Sequence, residues 1–121
     1  MKFQSLTPML WVDDLKATIA FYVDVLGFTL DGHSEEWGWA QLRFDDVQIM
    51  FSLPNKHMPY TGPGFTGSFY FNTVNVAEYW EKIKDSTRIL YPLEDFYYGM
   101  REFAIYDCNG YILQFGESVN T

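Results

Sequence analysis

Val12-Asp13-Asp14-Leu15-Lys16-Ala17-Thr18-Ile19-Ala20-Phe21-Tyr22-Val23-Asp24-Val25-Leu26-Gly27-Phe28 is the stretch from which the fold can be read. Its hydrophobic period changes twice. Up to Val12 the apolar side chains alternate, as on a strand. From Asp14 onward Leu15, Ile19, Tyr22 and Leu26 recur at helical spacing, with Asp14 placed as an N-cap and Gly27 as a C-cap glycine. Beyond Gly27 the chain becomes extended again. The segment is therefore a strand, a helix and the start of a second strand.

Working outward, Leu6 to Val12 is the first strand, followed after the helix by strand-like runs at Phe28 to Gly32, Trp37 to Phe44 and Val47 to Leu53. Asp45-Asp46 makes the turn between the last two. Pro54 to Gly67, with three prolines and three glycines, is a long connection. The order then repeats. Gly67 to Thr73 is a strand, Asn75 stands as an N-cap, and Val76, Tyr79, Trp80 and Ile83 give a helical face. Strands follow at Arg88 to Leu93, Arg101 to Tyr106 and Tyr111 to Phe115, the last two joined by the turn Asp107-Cys108-Asn109-Gly110. Thr7 precedes Asp14 by seven residues, and Ser68 precedes Asn75 by seven. Each half is βαβββ, so the expectation is an α+β fold. It is a single domain of two such units, about 1–60 and about 61–121.

The chain has 121 residues, a formal net charge of −8 and one cysteine. That length suits one domain with a core that needs no covalent staples. Apolar residues make up 48% and charged residues 20%, a globular composition. The longest stretch without a formal charge, His57 to Ala77, is broken by prolines and glycines, so no membrane span is expected. Met1-Lys2-Phe3-Gln4 lacks the long apolar region of a secretory signal. Cys108 has no internal disulfide partner, and a cytoplasmic location is expected. The acidic balance speaks against nucleic acid and for a cationic ligand. Aromatic residues reach 20%, more than so small a core needs, so some are expected to line a surface or cleft.

Alternation along the strands separates two faces. Pro8, Leu10, Val12, Ala40, Leu42, Phe44, Ile49, Phe51, Phe69, Phe71, Phe103, Ile105, Leu113 and Phe115 form a wholly apolar series, expected beneath the helices. The opposite series includes Trp37, Trp39, Met50, Ser68, Tyr70, Glu102, Tyr106 and Gln114. Its rings, methionines and amides suit a concave site with aromatic walls and a few polar groups. An interface between subunits gives the same pattern, and the two readings are compatible.

Val12-Asp13-Asp14-Leu15, Phe21-Tyr22 and Leu26-Gly27-Phe28 resemble the opening signature of the vicinal oxygen chelate superfamily. Gly99 to Tyr111 is similar to its closing segment, above all in bleomycin-resistance-type members. The resemblance spans nearly the whole chain. It implies paired βαβββ units in a cup-shaped mixed sheet with helices on the outer face, and a homodimer with sites at or near the subunit interface. In the metalloenzymes of this superfamily (glyoxalases, extradiol dioxygenases, fosfomycin thiol transferases) four strand positions hold a divalent ion. Carried across, they fall on Thr7, Met50, Ser68 and Gln114, which lack the imidazole and carboxylate groups such an ion needs. His33 and His57 lie elsewhere and are expected at the surface. No metal and no cofactor is therefore expected.

The resemblance implies metal-independent binding of a small aromatic or cationic ligand, with bleomycin-type sequestration as its concrete form. Ring stacking and negative potential suit such a ligand. The candidate ligand-binding residues are Trp37, Trp39, Met50, Ser68, Tyr70, Tyr98, Glu102, Tyr106 and Gln114, and Tyr97-Tyr98 before Gly99 forms an aromatic loop. Cys108 stands where the family commonly has proline. No catalytic residue is assigned, since no Ser-His-Asp set, phosphate loop or zinc spacing is present and Cys108 has no His nearby in sequence. The alternative is a lyase or oxidoreductase of the same superfamily, either metal-dependent through other ligands or metal-free with Glu102 or Tyr106 as an acid–base group. The expected partners are a small molecule and a second copy of the chain, not nucleic acid or membrane.

Overall fold

The computed structural model describes residues 1–55, 57, 59–64 and 67–119. Its elements are β1 (Met9–Trp11), α1 (Leu15–Ala20) running on into a π-helical segment (Phe21–Leu26), β2 (Thr29–Ser34), β3 (Trp39–Phe44), β4 (Val47–Ser52), β5 (Phe69–Asn72), α2 (Val76–Ile83), β6 (Arg88–Asp95), β7 (Met100–Tyr106) and β8 (Ile112–Ser118). The class is α+β, and each half is βαβββ as the alternation predicts. The chain divides into two compact units, Met1–Gly62 and Pro63–Thr121. Part of the long connection, at 56, 58, 65 and 66, lies outside the described residues.

The first unit is a sheet in the order β1-β4-β3-β2, with β1 parallel to β4 and the other pairs antiparallel. Its apolar face is the expected one: Val12, Ala40, Leu42, Ile49 and Phe51 are buried, together with Leu15, Tyr22, Leu26 and Phe28. Tyr22 is the centre of this core, edge-on to Phe28 at 5.3 Å and tilted against Phe51 at 4.8 Å. Asp14 caps α1 as its position predicts, its Oδ1 accepting from Ala17 N at 2.9 Å. Gly27 ends the helix at φ 90°, and the Phe28 amide donates back to the Tyr22 carbonyl at 2.8 Å.

The second unit repeats this order as β5-β8-β7-β6, with β5 parallel to β8. Phe103, Ile105, Leu113 and Phe115 are buried beneath α2, which contributes Val76 and Ile83. Phe103 stacks on Phe115 at 5.1 Å, and Trp80 tilts against Phe103 at 5.0 Å. One expectation is corrected. Asn75 makes no side-chain cap and sits in the left-handed region at φ 58°. The N-terminal amides of α2 are taken instead by Glu117 of β8, whose Oε2 and Oε1 accept from Asn75 N at 3.2 Å and Val76 N at 3.1 Å. A carboxylate fits there because a helix start offers unpaired N–H groups and partial positive charge. The turn after β7 forms as expected, with Asp107 Oδ1 accepting from the Asn109 and Tyr111 amides at 2.8 and 2.9 Å. No helix among the described residues is long and apolar enough to cross a membrane.

Candidate functional site

The face of each sheet opposite its helix carries most of the candidate residues, while Trp37 and Tyr98 lie in turns. In the second unit, cross-strand register sets Tyr70 beside Gln114, Gln114 beside Ala104 and Ala104 beside Tyr91. The next row on the same face runs Asn72, Gly116, Glu102, Glu94. Glu102 is thus flanked on β8 by a residue with no side chain and followed along β7 by the small Ala104. The space they leave is filled by phenol rings reaching diagonally from the edges. Tyr70 lies across Gly116 so closely that a Cβ there would come 2.0 Å from the phenol oxygen.

The result is a hydrogen-bonded cluster around a carboxylate that is 0% exposed. The Tyr70 hydroxyl donates to Glu102 Oε1 at 2.7 Å, and the Tyr91 hydroxyl donates to Glu102 Oε2. Tyr98 stands close enough to the same carboxylate for its hydroxyl to be influenced by it. Gln114 Nε2 donates to the Tyr91 oxygen at 2.8 Å, and the Ser68 hydroxyl donates to Gln114 Oε1. Burying a charge is costly unless it is paired or well hydrogen-bonded, and here phenol donors supply the bonds. Burial, and then the bond to Glu102, raise the Tyr70 and Tyr91 hydroxyls above their ordinary range. Burial, and then the nearby Glu102 carboxylate, push Tyr98 up to about 12.

Four candidate residues, Ser68, Tyr70, Glu102 and Gln114, therefore meet in one network, with Tyr98 beside it. Tyr91, a fifth member, is absent from the residues read from the sequence. Register shifts on either side of it, between Ile89 and Tyr91 and between Tyr91 and Glu94, break the alternation that would have marked it. Tyr106 stands apart from the network, with the Arg88 guanidinium 4.1 Å above its ring. Arg101, adjacent to Glu102, pairs with Asp95, its Nε donating to Oδ1 at 2.7 Å. Phe96 stacks on Tyr98 with centroids 5.5 Å apart and meets Tyr91 edge-on, making an aromatic wall beside the cluster.

In the first unit Trp39 and Met50 are in contact, the indole Nε1 donating to the Met50 sulfur at 3.3 Å. The Trp39 ring lies over Gly32 of β2, where a Cβ would come 2.9 Å from it. Trp37 lies in the turn before β3, not on the strand, and is 79% exposed. The Tyr60 hydroxyl donates to the Trp11 carbonyl at 2.8 Å, and the two rings meet edge-on.

The donor chemistry at Thr7, Met50, Ser68 and Gln114 does not fit a divalent ion. It offers two hydroxyls, a thioether and an amide, with the thioether already accepting from Trp39 and the Ser68 hydroxyl from β5's approach donating to Gln114. Among the described residues no group of three or more His, Cys, Asp or Glu is placed to hold a metal. His33 and His57 are both exposed.

Comparison with known proteins bears on the same segments. A bleomycin resistance protein from Geobacillus stearothermophilus is 30% identical over 130 residues, covering 94% of this chain and 96% of the relative. TnmS3, an antibiotic binding protein from Streptomyces sp. CB03234, has the same fold, with a TM-score of 0.79 at 17% identity over 98% of each chain. So does lactoylglutathione lyase from Agrobacterium tumefaciens, with a TM-score of 0.73 at 20% identity over 97% of this chain and 96% of the neighbour. Residues 4–115 match the family model described as Glyoxalase/Bleomycin resistance protein/Dioxygenase superfamily. With the opening and closing motifs, the doubled βαβββ order and this match all spanning the same length of sequence, the chain belongs to that superfamily.

Proposed function

We propose that this protein binds a small aromatic or cationic ligand without the help of a metal ion, and that sequestration of a bleomycin-type antibiotic is its concrete role. The observation that carries the reading is Glu102. A carboxylate with no exposed surface sits among phenol rings on the sheet face away from the helix. It projects negative potential through aromatic walls, which suits a ligand that is both flat and positively charged. The kinship with a bleomycin resistance protein over nearly the full length supports the drug class. Binding is favoured over turnover by the placement of the carboxylate, since it accepts hydrogen bonds from Tyr70 and Tyr91 and has no exposed surface from which to take a proton from a substrate. Ser68, Tyr70, Tyr98 and Gln114 are the proposed contacts in the second unit, with Glu102 acting from behind them through its charge, and Trp39 and Met50 are proposed contacts in the first. The protein is proposed to act in the cytoplasm as a homodimer.

The test is calorimetric titration of chelator-treated protein with metal-free bleomycin. Saturable binding near one drug per subunit is expected, weakened about tenfold or more by Glu102→Gln and by Trp39→Ala. Flat heats at high protein concentration would overturn the drug reading.

A further inference from the structure

The Glu102 cluster has a direction as well as a charge. An ionised carboxylate only accepts hydrogen bonds, so the hydroxyls of Tyr70 and Tyr91 must spend their protons on it. With its proton committed, the Tyr91 oxygen can only accept, and it does so from Gln114 Nε2. That contact fixes the amide orientation, which leaves Gln114 Oε1 to accept from the Ser68 hydroxyl. Every hydroxyl proton along the chain from Ser68 to Glu102 therefore points inward. What these hydroxyls present outward is lone pairs. Tyr70 is 39% exposed and Tyr98 49% exposed, so these two residues border the surface of the cluster. A hydroxyl that donates to a carboxylate is also a stronger acceptor, because the bonds polarise one another.

We propose that this cluster selects a group that donates N–H bonds, an ammonium or guanidinium, and discriminates against a quaternary ammonium of the same charge. Ring faces and negative potential alone would take either cation. The inward run of protons is what separates them, since a quaternary nitrogen has nothing to donate. Gly116 is the positioning residue for this selectivity. It admits the Tyr70 ring across β8, and a Cβ at this position would come 2.0 Å from the phenol oxygen and push it off Glu102. The inference rests on the reading of this face as a ligand site, and names the chemistry that site takes.

The experiment follows backbone amides 68–72, 100–104 and 112–116 by two-dimensional NMR during titration with methylguanidinium chloride or with tetramethylammonium chloride at matched ionic strength. Methylguanidinium is expected to shift these amides saturably and to bind about tenfold more tightly than tetramethylammonium, the ratio expected from one charge-assisted hydrogen bond. Tyr70→Phe keeps the ring and loses the acceptor. It should weaken methylguanidinium about fivefold or more and leave tetramethylammonium unchanged. Gly116→Ala should weaken methylguanidinium comparably while the dispersed spectrum persists. Equal binding of the two cations, binding of neither at these amides, or indifference to Tyr70→Phe would each overturn the proposal. Bleomycin titrated into the same samples separates the two readings. Methylguanidinium selectivity with flat bleomycin heats sinks the drug and leaves this inference standing. Bleomycin binding without cation selectivity does the reverse.

Discussion

Where the first unit places Trp39 on its inner strand, the second places Glu102, and the difference runs through the whole face. In the first unit Met9, Met50, Gln41 and Gly32 line up across the sheet; in the second the matching row is Tyr70, Gln114, Ala104 and Tyr91. The small residue has changed place. The first unit has its glycine on the edge strand and lays a large indole over it. The second has alanine and glycine on its inner strands and brings phenols in from the edges. Strand order and pairing are the same in both. The chemistry of the face is thus set by where the sheet leaves room, not by its topology. A soft, ring-and-thioether surface results in one unit and a buried carboxylate in the other.

The sharpest way to break this comparison is to remove one polar contact from each unit. Tyr91→Phe leaves a buried carboxylate oxygen and the Gln114 amide each short of a partner. It should lower stability by about 2–3 kcal/mol in urea unfolding, the range for a hydrogen bond to a charged group. Trp39→Phe loses only a weak N–H to sulfur contact and part of a ring, and about 1 kcal/mol is expected. Equal losses would mean the two faces do not differ energetically.

Helix entry gives a smaller contrast. Asp14→Ala removes a true N-cap and should cost about 1 kcal/mol. Asn75 is there for its backbone angle, so Asn75→Gly should be close to neutral, whereas Asn75→Ala should cost about 1 kcal/mol for a left-handed residue with a Cβ. Thermal unfolding of the three variants checks this. A loss in Asn75→Gly as large as that in Asp14→Ala would restore Asn75 as a cap.

The subtlest effect is in alkaline solution. An unfolded tyrosine loses its proton near pH 10, while burial and the Glu102 carboxylate hold the Tyr98 proton to about 12. Between those values the folded chain keeps a proton that the unfolded chain has lost. Stability is therefore whole below about pH 10 and falls as the pH rises toward about 12. Ultraviolet titration should show this late-ionising tyrosine, and Glu102→Gln should bring it back toward its ordinary value. Trp39→Phe should leave it untouched. A profile unchanged by Glu102→Gln would detach Tyr98 from the cluster.

The two units also differ in how much of them is legible in sequence. In α1 every signal is local. Asp14 caps an amide three residues on, Gly27 takes the left-handed angle, and Leu15, Tyr22 and Leu26 fall on one buried face. The start of α2 carries a misleading signal, because the group that caps it, Glu117, lies 42 residues after Asn75. Alternation places Glu102 on the polar face correctly. It says nothing of burial, which depends on Gly116 and on rings arriving from β5 and β6. Tyr91 is hidden by the irregular register of β6.

The contact between Glu117 and the start of α2 has a consequence for the order in which the second unit assembles. Asp14 adjoins α1 in sequence, so the cap of that helix is at hand whenever the helix forms. The first amides of α2 must wait for β8 to pair before they are sealed. In native-state hydrogen exchange the Asn75 and Val76 amides should therefore open together with β8, as one cooperative piece, while the Ala17 amide exchanges on a schedule of its own.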